Sequence, residues 1–117
     1  MDFDPNQCRV ENALGILVGK WKPIILLYLL RYGTQRFSEL KRNIHGITQK
    51  MLTKQLRELE KEDIVRRVVY PQVPPKVEYS ITEYGESLRP ILEAMHEWGV
   101  RHIRHKLAME NKAERPV

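Results

Sequence analysis

The sequence predicts a mostly α-helical domain that carries one small β-hairpin, and two observations lead to this prediction. Residues 36–59 read as a short helix, a glycine-containing turn and a longer helix with leucines on one face. Residues 64–81 read as two β-branched strands separated by a proline-rich stretch. Two helices joined by a tight turn and followed at once by a hairpin form the order that a winged helix-turn-helix requires. That architecture is the predicted fold class.

Two helices are expected before this pair. The first should cover residues 5–19, because Pro5 suits a first helical turn and apolar residues then recur at helical spacing. The second should run from Trp21 to Gly33. Its segment 24–30 is so apolar that we expect the helix to be buried on most sides.

A short strand over residues 35–37 should lead into the helix pair. Ser38 is expected to cap the first helix of the pair, which spans about two turns. Thr48 is expected to cap the second, which runs to about Asp63 and turns three leucines inward. Those leucines are Leu52, Leu56 and Leu59. The second helix therefore has one face for the core and one face that stays free.

The last predicted helix begins behind Thr82 and carries a long apolar stripe. We expect the polar tail after Leu107 to fray. The stripe offers more apolar surface than one small winged domain can cover, so the sequence predicts a homodimer. The residues expected in the dimer interface are Ile91, Met95, Trp98 and Ile103.

Composition restricts the classes of function. The 117 residues include 20 Lys and Arg against 15 Asp and Glu, a net charge of +5 that favours a polyanionic partner. The length predicts one domain over residues 1–117. The most apolar run, 23–30, is far short of a membrane span and the acidic N-terminus is no signal peptide, so we expect a cytoplasmic protein with no membrane partner. The chain lacks the residue patterns of catalysis, so neither an enzyme nor a cofactor is predicted.

The placement of charge points to double-stranded DNA more strongly than its amount does. The free face of the second helix of the pair holds no acid before position 58, and its acids lie where the helix should leave the major groove. Gln49 can hydrogen-bond adenine through both amide atoms, whereas Lys50 and Arg57 can reach guanine or phosphate. The predicted DNA-binding residues are Arg36, Ser38, Thr48, Gln49, Lys50, Thr53, Lys54, Arg57, Arg67 and Lys76.

Two other classes of function compete with DNA binding. A winged-helix module that binds only proteins would use its basic face for solubility, and salt-sensitive binding to a duplex separates it from a DNA-binding protein. Binding to RNA or to single strands is disfavoured, because the free face over residues 48–57 has no aromatic ring on which a base can stack.

Several motifs occur in one register over residues 8–102. They are Cys8-x-Val10-Glu11-x-Ala13-Leu14, Gly19-Lys20-Trp21, Arg36-Phe37-Ser38-Glu39-Leu40, Gln49-x-Met51-Leu52-Thr53, Val73-Pro74-Pro75-Lys76-Val77-Glu78-Tyr79 and Trp98-Gly99. These motifs resemble the HxlR-type family of winged helix-turn-helix regulators, which is related to the MarR-type group. The resemblance implies a dimeric transcription regulator, with repression as the expected mode, a helix-turn-helix and wing over 36–82 and a dimerisation helix over 83–107. Arg9 and Pro23 depart from the family pattern.

Cys8 and the histidines are candidates for further chemistry. Some relatives of this family sense oxidants through an N-terminal cysteine, so the resemblance makes Cys8 a candidate redox sensor and an oxidant or small molecule a candidate effector. The alternative is a reduced cysteine that packs as a small apolar residue. His102 and His105 have the spacing of a shared metal pair, but no carboxylate or cysteine completes a site, so no metal is predicted.

Overall fold

The computed structural model describes residues 1–114, and its helices and strands follow the predicted order. The elements are a 3₁₀ turn (Pro5–Gln7), α1 (Val10–Leu17), α2 (Trp21–Tyr32), β1 (Gln35–Arg36), α3 (Phe37–Asn43), α4 (Gln49–Lys61), β2 (Val65–Tyr70), β3 (Lys76–Ile81), α5 (Glu83–Glu86) and α6 (Arg89–Glu114). The predicted fold class, mostly helical with a β-hairpin wing, is confirmed. The chain forms two compact units, one over Met1–Glu86 and a second that begins at Ser87.

The core of the first unit is built largely from α2 and α4. Their fully buried side chains are Ile25, Leu26, Leu29, Leu52, Leu56 and Leu59. Burying a side chain of this size stabilises the fold by about 1.5–3 kcal/mol relative to leaving it exposed. The three leucines of α4 face inward as predicted, and they fix the helix so that its opposite face points to solvent.

α2 is less completely buried than the sequence predicts. Leu27 lies at the surface although it belongs to the most apolar run of the chain. Because neighbouring positions on a helix are about 100° apart, Leu27 cannot join the side that carries Leu26. Among residues 1–114 no single helix is long and apolar enough to cross a membrane, and only α1 and α2 taken together reach that length and hydropathy, with a bend of 81° at their junction.

The N-terminal helix is shorter than predicted. The Asp4 carboxylate accepts a hydrogen bond from the Asn6 N–H at 2.9 Å and caps only the 3₁₀ turn. The backbone at Cys8 is extended, so the helix expected over residues 5–19 cannot run through it. α1 starts at Val10 and ends at Leu17, because the backbone at Val18 is extended again.

The start of α3 differs from the prediction and the start of α4 agrees with it. Ser38 is not the cap of α3: Arg36 holds the N-cap position, and its N–H donates to the Glu39 carboxylate at 3.1 Å. Thr48 does cap α4, since its hydroxyl accepts a hydrogen bond from the Met51 N–H at 3.1 Å. In the turn between them Gly46 has a φ of 85°, a conformation that favours glycine.

The helix predicted behind Thr82 is divided into α5 and α6. The Thr82 hydroxyl accepts a hydrogen bond from the Gly85 N–H at 2.9 Å and caps α5, which ends at Glu86. Pro90 then lies in the first turn of α6, where proline is tolerated. α6 continues to Glu114, so the expected fraying after Leu107 is wrong; residues 108–113 include several strong helix formers.

The wing belongs to a three-stranded antiparallel sheet with the strand order β1-β3-β2. Arg67 lies opposite Tyr79, and Lys76 lies opposite Tyr70. Side chains along a strand alternate between the two faces of a sheet. Arg67 and Lys76 are therefore on opposite faces of the wing.

Candidate nucleic-acid interface

The predicted DNA contacts on α4 lie on its accessible side. Lys50, Lys54 and Arg57 are exposed and follow one another at spacings of four and three residues, so they share one face of the helix. Within residues 1–114 none of the three cations is engaged in an ion pair. Gln49 is exposed in the first turn, and Thr53 is half-buried beside it. This face therefore presents three positive charges that no ion pair within the described residues neutralises.

A groove of about 420 Å³ separates α4 from the wing. Three predicted contacts of α4 line one side, and Arg67 of β2 lines the other. The remaining lining includes two aromatic residues, Phe37 and Tyr79, whose ring centres are 6.4 Å apart. The contacts contributed by α4 are Gln49, Thr53 and Arg57. The fold thus brings together four predicted residues from two separate segments of the chain.

One acidic side chain also enters this groove. Glu60 is half-buried and lines the groove together with Arg57 and Arg67. Glu60 belongs to the C-terminal half of α4, which is expected to lie outside the major groove of DNA, and it lines the groove between α4 and the wing. Positions 53, 57 and 60 recur at spacings of four and three residues and share a helix face, a signal that was present in the sequence. The groove residues Val77 and Tyr79 were not predicted, because their positions depend on the strand register, and neither was Phe37 at the start of α3.

The neighbouring acid of α4, Glu58, is balanced inside the fold. Its carboxylate lies 2.6 Å from the Lys22 ammonium group of α2. The hydrogen bond from Lys22 lowers the pKa of Glu58, with smaller contributions from the charges of Lys22, Lys54 and Lys61, whereas partial burial acts in the opposite direction. Glu58 is therefore ionised and paired near neutral pH.

Lys76 also has an intramolecular partner. Its ammonium group lies 2.8 Å from the Glu78 carboxylate and 4.8 Å from the centre of the Tyr70 ring. Lys76 lies on the face of the wing opposite to Arg67. Arg36 lies on the same face as Lys76, because it is opposite Glu78 in the register between β1 and β3. Of the two predicted wing contacts, only Arg67 lines the groove.

The remaining predicted contacts lie at helix starts outside the groove. Arg36 and Ser38 lie at the beginning of α3, and Thr48 lies at the N-cap of α4. None of the three is among the residues that line the groove. All three are exposed, so each is open to a phosphate that approaches from solvent.

Predicted interface residues are exposed on α6. The side chain of Trp98 is 58% exposed and stacks on His102, with ring centres 4.8 Å apart. Ile91, Met95 and Trp98 line an open apolar groove of about 750 Å³. Ile103 is exposed as well. α1 carries its own exposed apolar stripe, in which Val10 and Leu14 lie four residues apart and Val18 follows directly after the end of the helix.

Cys8 is a free, half-buried thiol that lies between the 3₁₀ turn and α1. It precedes Arg9, which holds the N-cap position of α1 and is exposed. In the described part of the chain no three His, Cys, Asp or Glu side chains converge as metal ligands would.

Comparison with known proteins places the chain in a family. The HxlR-like helix-turn-helix family model matches residues 16–107. The helix-turn-helix transcriptional regulator YtcD of Bacillus subtilis is 55% identical over 94 residues, which cover 80% of this chain and 74% of YtcD. The redox regulator HypR in its reduced form is 48% identical with a TM-score of 0.80, over 86% of this chain and 99% of HypR.

A third relative is also a regulator of known structure. The reduced form of the transcriptional regulator YodB from B. subtilis is 39% identical with a TM-score of 0.70, over 79% of this chain and 90% of YodB. HypR has also been solved in its oxidised form and YodB after diamide treatment. The resemblance noted in the sequence is confirmed, and the chain belongs to the HxlR-like helix-turn-helix family of transcription regulators.

Proposed function

We propose that the protein is a cytoplasmic, sequence-specific transcription repressor that binds double-stranded DNA through α4 and the wing. One observation carries the proposal: the exposed face of α4 holds three unpaired cations, and it adjoins a groove that Arg67 completes from the wing. The major groove of B-DNA is about 12 Å wide and admits a helix, so this face can reach base edges and phosphates together. In this proposal residues 1–117 act as a single winged helix-turn-helix domain.

Base reading is assigned to the N-terminal half of α4. Gln49 lies in the first turn, which is the part of a recognition helix that meets base edges. Its carboxamide can both donate to and accept from adenine, while Lys50 can reach guanine or a phosphate. Thr48, Thr53 and Lys54 supply hydroxyl and ammonium donors beside it.

Phosphate binding is assigned to the groove between α4 and the wing. Arg57 enters it from the helix and Arg67 from β2, so a phosphate strand passing between them would meet two guanidinium groups. Glu60 repels phosphate at its own position and limits the strand to the part of the groove that lies nearer Gln49 and Thr53. Arg36 and Ser38 serve as outer contacts at the start of α3.

The test is the salt dependence of binding to operator DNA taken from upstream of the protein's own gene. Each lost phosphate contact lowers the slope of log K against log salt by about 0.9. Arg57→Ala and Arg67→Ala should each lower it by about that amount. Lys76→Ala is the matched control from the wing and should change the slope less, because Glu78 already balances its charge. Gln49→Ala should relax base preference.

Two results would contradict the proposal. Unchanged slopes in Arg57→Ala and Arg67→Ala would remove the groove from the interface. The absence of salt-sensitive binding to any duplex would favour the alternative function, a winged-helix module that binds only proteins.

We further propose that the protein acts as a homodimer through the apolar stripes of α1 and α6. Exposed apolar side chains on both helices support this, since monomers rarely leave such stripes uncovered. A two-fold dimer presents its recognition helices to half-sites about 34 Å apart, which calls for an inverted-repeat operator. Trp98→Glu should yield monomers in light scattering and lose tight operator binding. Arg104→Glu places a glutamate on α6 outside the stripe, with an even larger change of charge, and should stay dimeric.

An oxidant response through Cys8 is proposed as a second function. The half-buried free thiol near the start of α1 supports it, as does the likeness to HypR, whose name describes a redox regulator. Diamide would take two electrons and two protons from two thiols and leave a disulfide, either between two subunits or with a small thiol. Such a bond at α1 would alter the spacing of the recognition helices.

The redox proposal is tested by operator binding before and after diamide. The wild type should lose affinity and recover it with a reductant. Cys8→Ser should bind the operator as the reduced wild type does and ignore diamide. If Cys8→Ser still loses operator affinity after diamide, Cys8, the one cysteine of the sequence, is excluded as the sensor.

A further inference from the structure

A second cleft, separate from the groove between α4 and the wing, lies against α2 and α3. Its volume is about 630 Å³. The side chains that matter here come from α2, β1, α3 and the turn before α4: Tyr28, Tyr32, Gln35, Glu39, Arg42 and His45. None of these residues was predicted to bind anything, and none lines the groove beside α4. We call it the tyrosine cleft.

Gln35 contributes a polar side chain to the tyrosine cleft. The residue is only 8% exposed, and its amide nitrogen donates to the Tyr32 carbonyl at a long distance of 3.5 Å. Its amide oxygen accepts no hydrogen bond from the described residues, yet it is not sealed from solvent. Because this oxygen is accessible and Gln35 lines the cleft, it can accept a hydrogen bond from a donor group of a ligand.

The two tyrosines supply an aromatic surface. Their ring centres are 5.8 Å apart with planes inclined by 35°. The Tyr28 hydroxyl donates to the Asn43 carbonyl at 2.9 Å, which holds that ring in place. Tyr32 is 59% exposed, although a tyrosine of this size gains stability from burial. A planar ligand would cover it in an offset stack.

Charges of both signs border the tyrosine cleft. Acceptors lie toward the start of α3: the Gln35 oxygen and the Glu39 carboxylate, of which one oxygen is used by the Arg36 N–H. Cations lie toward its end, with Arg42 in the last turn and His45 just beyond it. Neither has an ion-pair partner among residues 1–114. The cleft therefore suits a ligand with a donor at one end and an anion at the other.

We propose that the tyrosine cleft binds a small zwitterionic aromatic molecule of the aromatic amino acid class. The ring stacks on Tyr28 and Tyr32, and the ammonium group donates to Gln35 and Glu39. The carboxylate accepts hydrogen bonds from Arg42 and His45. His45 belongs to the turn that leads into α4, so a ligand bound in the tyrosine cleft would connect α2 and α3 to the segment just before the recognition helix α4. That regulatory step, unlike the binding itself, rests on the proposed DNA-binding function.

The binding is tested by isothermal titration calorimetry of the full chain without DNA. The probes are L-phenylalanine and L-tryptophan, with phenethylamine and 3-phenylpropionate as analogues that lack one charged end. Each analogue should bind about tenfold more weakly or worse, the effect of one lost charge-assisted hydrogen bond. Arg42→Ala should weaken the binding of L-phenylalanine by a similar factor. Lys41→Ala removes a neighbouring exposed cation that does not line the cleft and should have no effect.

Several outcomes would overturn the proposal. The first is that neither amino acid binds at millimolar concentration. The second is that the analogues lacking one charged end bind as tightly as L-phenylalanine, and the third is that Arg42→Ala and wild type bind L-phenylalanine with equal affinity. Arg42 is exposed, so its variant should fold; circular dichroism checks this. Operator affinity is then measured with and without L-phenylalanine. Binding in the calorimeter with unchanged operator affinity would refute the regulatory step alone, and a chain that binds no DNA would refute the proposed function without touching the cleft.

Discussion

Gly85 occupies a position where the fold leaves no room for a side chain, and Gly85→Ala is the sharpest test of the packing at the end of the wing. Gly85 is buried in α5. A Cβ atom there would lie 2.3 Å from the main-chain oxygen of Ile64 and 2.8 Å from a side-chain carbon of Ile81. The first of these neighbours is backbone and cannot rotate away, so the two segments must move apart.

The size of the effect follows from this contact. Cβ atoms essentially never approach other heavy atoms closer than 3.0 Å, so the 2.3 Å contact demands a shift of at least about 0.7 Å. The Ile64 oxygen accepts the Thr82 N–H at 3.0 Å, and the Thr82 hydroxyl accepts the Gly85 N–H at 2.9 Å. Overpacking costs about 1–3 kcal/mol and a weakened hydrogen bond about 1 kcal/mol more. We expect the free energy of unfolding to fall by about 2–4 kcal/mol.

Urea denaturation followed by circular dichroism measures this loss. Protein concentration is held constant, because subunit association adds to apparent stability. Gly15→Ala is the matched control. Gly15 is exposed within α1, and beyond its chain neighbours and the backbone of its own helix no atom lies within 4 Å of the place that a Cβ would take, so helix propensity should raise stability by up to about 1 kcal/mol. Equal unfolding midpoints for Gly85→Ala and wild type would refute the close approach of α5 to Ile64.

Three further predictions concern α4 and its neighbours. Leu56→Ala should lower the free energy of unfolding by about 2–5 kcal/mol in urea, because Leu56 is fully buried, and it should weaken DNA binding only as far as it unfolds the protein. Lys22 lowers the pKa of Glu58 below its ordinary value of 4.5, so the stability that this pair contributes is present above that value and is lost as the pH falls through the folded-state pKa. The unfolding midpoints of Glu58→Gln and wild type should therefore differ near neutral pH and converge in acid. A difference that stays constant with pH would contradict the pairing. Thr48→Ala should cost about 1 kcal/mol in thermal unfolding, whereas Ser38→Ala should cost little because Ser38 caps no helix; the reverse order would contradict the observed caps.

The parts of the fold that the sequence predicts well depend on neighbouring residues. The spacing of Leu52, Leu56 and Leu59 determines which side of α4 is buried, and Thr48 can cap only the helix that follows it. The start of α3 is harder to predict, because Ser38 and Glu39 offer competing ways to satisfy the first backbone N–H groups. The Glu39 carboxylate prevails by reaching back to the N–H of Arg36.

The candidate site was predictable on α4 and much less so on the wing. The exposed face of α4 follows from helical spacing alone. The wing depends on the register between β2 and β3, which places Arg67 in the groove and turns Lys76 toward Glu78. Residues on different strands cannot be assigned to a face from composition, since a shift of one residue exchanges the two faces.

The distribution of charge along α4 also accounts for how far the helix can enter DNA. The acid-free part, residues 49–57, covers eight steps of about 1.5 Å, about 12 Å in all, which matches the width of the major groove. Beyond it Glu58 is paired with Lys22, whereas Glu60 stands in the groove beside Arg57 and Arg67. In the proposed mode of binding, the change from attraction to repulsion falls where the helix would leave the major groove, and a phosphate strand between Arg57 and Arg67 would be kept on the side of Gln49. On this proposal specificity and register would arise from the same helix, because the residues assigned to base reading and the acid assigned to limiting the backbone share one face.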